Sequence, residues 1–98
     1  MFFTLHKSDS GEVVTAKIGD RVVIALEEHP TSNAKWMLVA TPALELVDES
    51  KKSEGADAQL RVFRFGILDA ATDITFNLEN PYIADAPAEV FKFSIVLK

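Results

Sequence analysis

Phe91, Phe93, Ile95 and Leu97 recur at every second position near the C-terminal end of the chain. Lys92, Ser94 and Lys98 take the alternate positions, and Val96 alone breaks the pattern. A period of two is the signature of a strand, whose successive side chains point to opposite faces of a sheet. Ile74, Phe76 and Leu78 alternate in the same way with Asp73, Thr75, Asn77 and Glu79. Phe63, Phe65 and Ile67 do so against Arg64 and Gly66. Residues 22–26 are apolar on both faces, as a central strand requires, and residues 36–40 read similarly. Residues 13–18 and 44–47 are shorter candidates, and residues 2–6 fit a first edge strand. Val, Ile and Thr number 9, 6 and 6 and sit in short runs between Gly, Pro, Asp and Asn, which is strand composition with strand punctuation.

No segment has a convincing helical period. The one polar stretch long enough, residues 48–59, reads as a loop from its charge density and its Ser53-Glu54-Gly55 centre. A chain of 98 residues has room for one core only, so residues 1–98 are expected to form a single domain. Seven to eight short strands in that length predict an all-β fold, an antiparallel immunoglobulin-like β-sandwich with Greek-key connections.

Charge and composition exclude several function classes. The net charge is −5, which disfavours nucleic acid and anionic membrane surfaces as partners, since both demand clustered Lys and Arg. The longest apolar run has five residues, whereas a spanning helix needs about 20. There is no cysteine, hence no disulfide, no thiolate metal site and no Cys nucleophile. The first six residues lack a basic start and an apolar core, so no signal peptide is expected in this chain and the compartment stays open.

Labelling the strands B (21–28), C (34–40), D (43–48), E (60–68), F (73–79) and G (89–97), antiparallel succession puts connections BC, DE and FG at one end. These are the long ones, residues 29–33, 49–59 and 80–88, while those at the other end are short. Long loops gathered on a rigid scaffold are how sandwiches build binding surfaces. In the BC loop Pro30 holds His29 extended, and Asn33 suits a left-handed backbone conformation. The result is a stiff polar tip carrying the Thr31 and Ser32 hydroxyls. In the FG loop two prolines flank Tyr82, which reads either as an exposed interface anchor or as a cap folded onto the core.

His29-Pro30-Thr31-Ser32-Asn33-Ala34-Lys35-Trp36, Gly55 ahead of Phe63-Arg64-Phe65, and Asn80-Pro81-Tyr82 together resemble the chagasin family. These are small immunoglobulin-like inhibitors of papain-like cysteine proteases. The resemblance spans roughly residues 19–98. Pro30, Thr31, Trp36, Gly55 and Pro81 match the family pattern. His29 stands where the family has Asn, Ser32 where it has Thr, and Asn33 where it has Gly. Ala34 stands for an aromatic residue, Asn80 for Arg and Tyr82 for Trp, and the DE loop keeps one glycine. Asn80 is the largest change, because a positive bidentate donor is lost. The resemblance implies a non-covalent wedge filling a protease cleft. Pro30, Thr31 and Ser32 would lie over the catalytic Cys–His pair, with Thr31 offering its hydroxyl to it. Tyr82 would pack on one wall, and Gly55 and Ala56 would let the backbone approach the other. The protease-contacting set is then His29, Pro30, Thr31, Ser32, Asn33, Gly55, Ala56, Asn80, Pro81 and Tyr82, with no cofactor and a monomer as the default state.

Other constellations are poorer. His6 and His29 are the only imidazoles, and nothing in the pattern brings them together, so no metal site is expected. Ser32, His29 and an Asp lack the strained elbow of a hydrolytic nucleophile, so no enzyme is expected. Glu27 and Glu28 should point to opposite faces. The alternative function is an immunoglobulin-like binding or structural module without inhibitory activity.

Overall fold

The computed structural model describes residues 2–80, 82 and 87–98. Eight strands lie among them: β1 (Phe2–His6), β2 (Glu12–Ala16), β3 (Arg21–Glu28), β4 (Lys35–Leu38), β5 (Leu44–Gly55), β6 (Ala58–Ile67), β7 (Ala71–Glu79) and β8 (Glu89–Leu97). Single 3-10 turns at Lys7–Asp9 and Pro30–Ser32 complete the regular structure. The strands form two four-stranded sheets, ordered β1-β3-β6-β5 and β2-β8-β7-β4. The expected immunoglobulin-like sandwich is therefore what the chain adopts.

The alternating side chains close the space between the sheets. Phe63 and Phe65 from one sheet meet Phe76 from the other, with Phe63 and Phe76 centroids 5.3 Å apart. Phe91 and Phe93 extend the aromatic row along β8. Val22, Ile24, Leu26, Trp36 and Ile67 fill the rest, each essentially inaccessible to solvent. Tilted and edge-on rings at these separations add to the burial of their large apolar area.

Three details depart from the sequence reading. The sandwich is not wholly antiparallel: β1 runs parallel to β3, and β2 parallel to β8. One N-terminal segment switches sheets at residues 7–11 and supplies an edge strand to each. Residues 36–40 are not a central strand. β4 is a four-residue edge strand whose Trp36 is buried while Met37 is 53% exposed. Only its inward face needs to be apolar, and a two-faced apolar run does not distinguish the two cases.

The third departure bears on function. Residues 49–59 are not a long loop but the paired arms of a hairpin, β5 and β6, joined through Ala56 and Asp57. Charge density misleads here because β5 lies at a sheet edge and nearly all of it is exposed, so its polar residues stay hydrated within a strand. Arg64 donates to Asp48 Oδ1 at 2.9 Å across the ladder, and Arg61 pairs with Glu49.

Candidate functional site

Antiparallel pairing of β3 with β6, β5 with β6, β4 with β7 and β7 with β8 places three connections at one end of the sandwich. They are the β3–β4 loop (residues 29–34), the β5–β6 turn (56–57) and the β7–β8 loop (80–88). The β3–β4 loop is built largely by its own side chains. His29 is extended (φ −112°, ψ 105°), as its position before Pro30 demands. The Ser32 amide donates to the His29 carbonyl at 2.9 Å, closing the 3-10 turn. The Ser32 hydroxyl donates to the same carbonyl at 2.8 Å and accepts from the Ala34 amide at 3.3 Å. Asn33 then reverses the chain in the left-handed region (φ 61°) that the sequence assigned to it.

This tip is fastened to the hairpin by Asp57. The Thr31 hydroxyl donates to Asp57 Oδ2 at 2.7 Å and the Thr31 amide to Oδ1 at 3.2 Å. His29 Nδ1 lies 2.7 Å from the Asp57 carbonyl oxygen, which can only accept, so that nitrogen carries the proton. The Thr31 hydroxyl, the Thr31 amide and the neighbouring His29 imidazole, in that order, hold the Asp57 carboxyl below the ordinary aspartate value. In the sequence Asp57 is one acid within the polar residues 49–59. Its place directly after a Gly-Ala turn, opposite the Thr31 tip, emerges once β5 and β6 pair. With its proton donated to Asp57, the Thr31 hydroxyl keeps its oxygen as an acceptor.

Beneath the tip lies a second link, also unread from the sequence. Glu28, 2% exposed, accepts from the Trp36 amide and from Arg61 Nη1, both at 2.8 Å, and from Gln59 Nε2 at 3.0 Å. The Trp36 indole donates to the Glu27 carbonyl at 2.9 Å. Glu28 and Trp36 bracket the β3–β4 loop, so one carboxylate ties both ends of that loop to β6. Glu27 points to the opposite, exposed face, as the alternation predicted. Arg61 also lies over the Phe63 ring, 4.8 Å from its centroid. The available signal was an acid at an inward position of β3 and an arginine at an inward position of β6.

In the β7–β8 loop, Asn80 Oδ1 accepts from the Tyr82 amide at 2.9 Å, and the Ala88 amide donates to the Leu78 carbonyl at 3.0 Å. Tyr82 is 82% exposed and does not cap the core. Pro81, named from the sequence as a contact residue, lies outside the described residues. A groove of about 360 Å³ joins Tyr82 to Asn33, Ala34 and Lys35. Gly55 adopts φ 152°, with open space where a side chain would stand, so backbone conformation selects glycine there. Ala56 is exposed at the turn.

A cleft of about 700 Å³ is lined by His29, Ser32 and Ala34 of the loop together with His6. The parallel register of β1, which sets His6 beside Ala25, brings the two imidazoles to one cleft, contrary to the sequence expectation. Among the described residues no group of three or more His, Cys, Asp or Glu could hold a metal ion.

The fold is shared with solved structures of low sequence identity. The cysteine protease inhibitor EhICP2 from Entamoeba histolytica superposes with a TM-score of 0.87 at 17% identity, covering 99% of this chain and 96% of that one. Amebosin gives 0.77 at 15% identity, covering 100% and 99%. PbICP-C, solved in complex with falcipain-2, gives 0.69 at 11% identity, covering 98% and 99%. No protein-family model and no curated protein matches the sequence.

Proposed function

We propose that this chain is a non-covalent inhibitor of papain-like cysteine proteases, acting as a wedge of the β3–β4 loop, the β5–β6 turn and the β7–β8 loop. The observation that carries the reading is the pair of Thr31–Asp57 hydrogen bonds, which lock the first two of these elements into one tip. Their position at one end of a rigid sandwich is that of a binding surface. The resemblance of Pro30-Thr31, Trp36 and Gly55 to chagasin-type inhibitors supports the same reading. So does a shared fold with a cysteine protease inhibitor and with a protein solved in complex with falcipain-2.

The mechanism is obstruction. Pro30, Thr31 and Ser32 cover the catalytic Cys–His pair of the protease. The Thr31 and Ser32 hydroxyl protons are already committed to Asp57 and His29, so the tip presents oxygen acceptors and shape. Pre-formed internal bonds lower the ordering cost of docking. Tyr82, exposed beside the tip, packs on one cleft wall, while Gly55 and Ala56 face the other. An interface of this kind buries on the order of 1,600 Å² in total.

The test is an NMR titration of the labelled chain with a papain-like protease whose catalytic cysteine has been replaced by alanine. Amide shifts concentrated at His29, Thr31, Ser32, Asn33, Gly55, Ala56, Asn80 and Tyr82 are expected. Shifts confined to the far end of the sandwich, or no shifts at all, would assign the chain to a binding module of another kind.

A further inference from the structure

We propose that the open edge of β5 pairs with the same edge of a second copy of this chain, antiparallel, about a two-fold axis at Ser50. β5 is the longest strand, with 12 residues. It ends its sheet, bonded to β6 on one side and to no strand on the other among the described residues. An unpaired row of backbone donors and acceptors is a template for another strand. From Asp48 to Ser53 the pairing with β6 is regular, so the outer edge there is regular too. The segment contains no proline.

The side chains specify the occupant. Asp48, Ser50 and Lys52 stand opposite Arg64, Val62 and Leu60 and share the outer face. Glu49 and Lys51 stand opposite the buried Phe63 and Arg61 and share the inner face. A two-fold axis perpendicular to the sheet keeps each side chain on its own face, so it must pass through a residue rather than between two. An axis through Asp48, Glu49, Lys51 or Lys52 would set that charge against itself. Ser50 is the one uncharged residue among these five. With the axis there, Asp48 faces Lys52 of the second copy and Glu49 faces its Lys51. Symmetry repeats both pairs, giving four opposite-charge pairs and no like-charge pair. An axis through Ser53 gives only the Lys52–Glu54 pair, twice, and crosses the irregular register between Ser53 and Gly55. The result is a continuous eight-stranded sheet with the two loop ends pointing in opposite directions. Self-pairing depends on β5 alone and not on the protease reading.

The test uses the absence of cysteine. In the Ser50→Cys variant the two thiols face each other across the axis, at Cα separations of about 4.5–5.5 Å, within disulfide range. Mild oxidation is expected to give a disulfide-linked dimer. Ser53→Cys, an exposed control on the same strand, stays monomeric because its two copies are carried far apart. Sedimentation equilibrium of the unmodified chain from about 1 µM to about 1 mM is expected to show a reversible dimer that weakens with salt. Lys51→Glu with Lys52→Glu breaks no ion pair among the described residues and turns all four pairs like-charged. Dimerisation is expected to weaken by about a hundredfold. A chain that stays monomeric throughout this range would overturn the proposal. So would a dimer indifferent to the charge reversal, or equal cross-linking of the two cysteine variants.

Discussion

Replacing Glu28 by alanine tests the link beneath the tip. The side chain is 2% exposed and receives three donors, the Trp36 amide, Arg61 Nη1 and Gln59 Nε2. Removing it strands a buried amide and leaves Arg61, itself only 8% exposed, with Glu49 as its remaining acid. Breaking a buried pair from one side costs about 3–5 kcal/mol, and the surviving Glu49 partner places this case at the lower end, about 3 kcal/mol. In a domain of this size each kcal/mol moves the melting temperature by about 4–8 °C, so a fall of about 12–24 °C is expected. Glu28→Gln retains an oxygen for the Trp36 amide and Arg61, and Gln59 can turn its amide to accept from the new NH2. Only the charge assistance is lost, about 1–1.5 kcal/mol. Urea unfolding measures both variants, and hydrogen exchange at the Trp36 amide reports the loop base directly. That amide should exchange faster in Glu28→Ala than in Glu28→Gln. Equal stability of the two variants, or an unchanged Trp36 amide in Glu28→Ala, would refute the idea that this carboxylate anchors the loop.

Thr31→Val removes the hydroxyl bonded to Asp57 and should weaken protease inhibition about tenfold with little loss of stability, read from inhibition constants and thermal melts. The Asp57 carboxyl is held below its ordinary value, so its contribution is complete above about pH 4 and disappears as the pH falls through the lowered folded value. The tip–hairpin link is therefore intact at neutral pH and opens only in acid, to be followed by NMR titration of the Thr31 amide. An earlier opening, between pH 5 and 7, would contradict the assignment. Tyr82→Ala should leave stability within about 0.5 kcal/mol, because the side chain is 82% exposed. Protease binding should fall by about 2 kcal/mol, read by calorimetry. Asn33→Ala should cost about 1 kcal/mol at its positive φ, whereas Asn33→Gly should be near neutral in the same unfolding assay.

The fold was legible wherever one face of a strand is buried. Phe91, Phe93 and Ile95 alternate because the space between two sheets admits only one side of β8. The same logic fails where no face is buried. β5 carries Asp48-Glu49-Ser50-Lys51-Lys52 along an exposed edge, and a fully solvated strand has no period to read. The tip was legible in part. Pro30 and Asn33 constrain their own backbones, and both constraints appear in the turn geometry. Asp57, Glu28 and Arg61 act across long sequence separations, and their partners exist only once β3, β5 and β6 are in register. The placing of His6 and His29 on one cleft was unreadable because it depends on a parallel edge strand formed by a sheet-switching segment.

The central claim is that the three-element tip blocks a protease cleft. Residual activity of papain and of a cathepsin L-like protease, titrated with the purified chain, tests it most directly. Stoichiometric and reversible loss of activity is expected, competitive with substrate and abolished by Thr31→Arg at the tip. Full protease activity at micromolar concentrations of the folded chain, or inhibition unaffected by Thr31→Arg, would contradict the account.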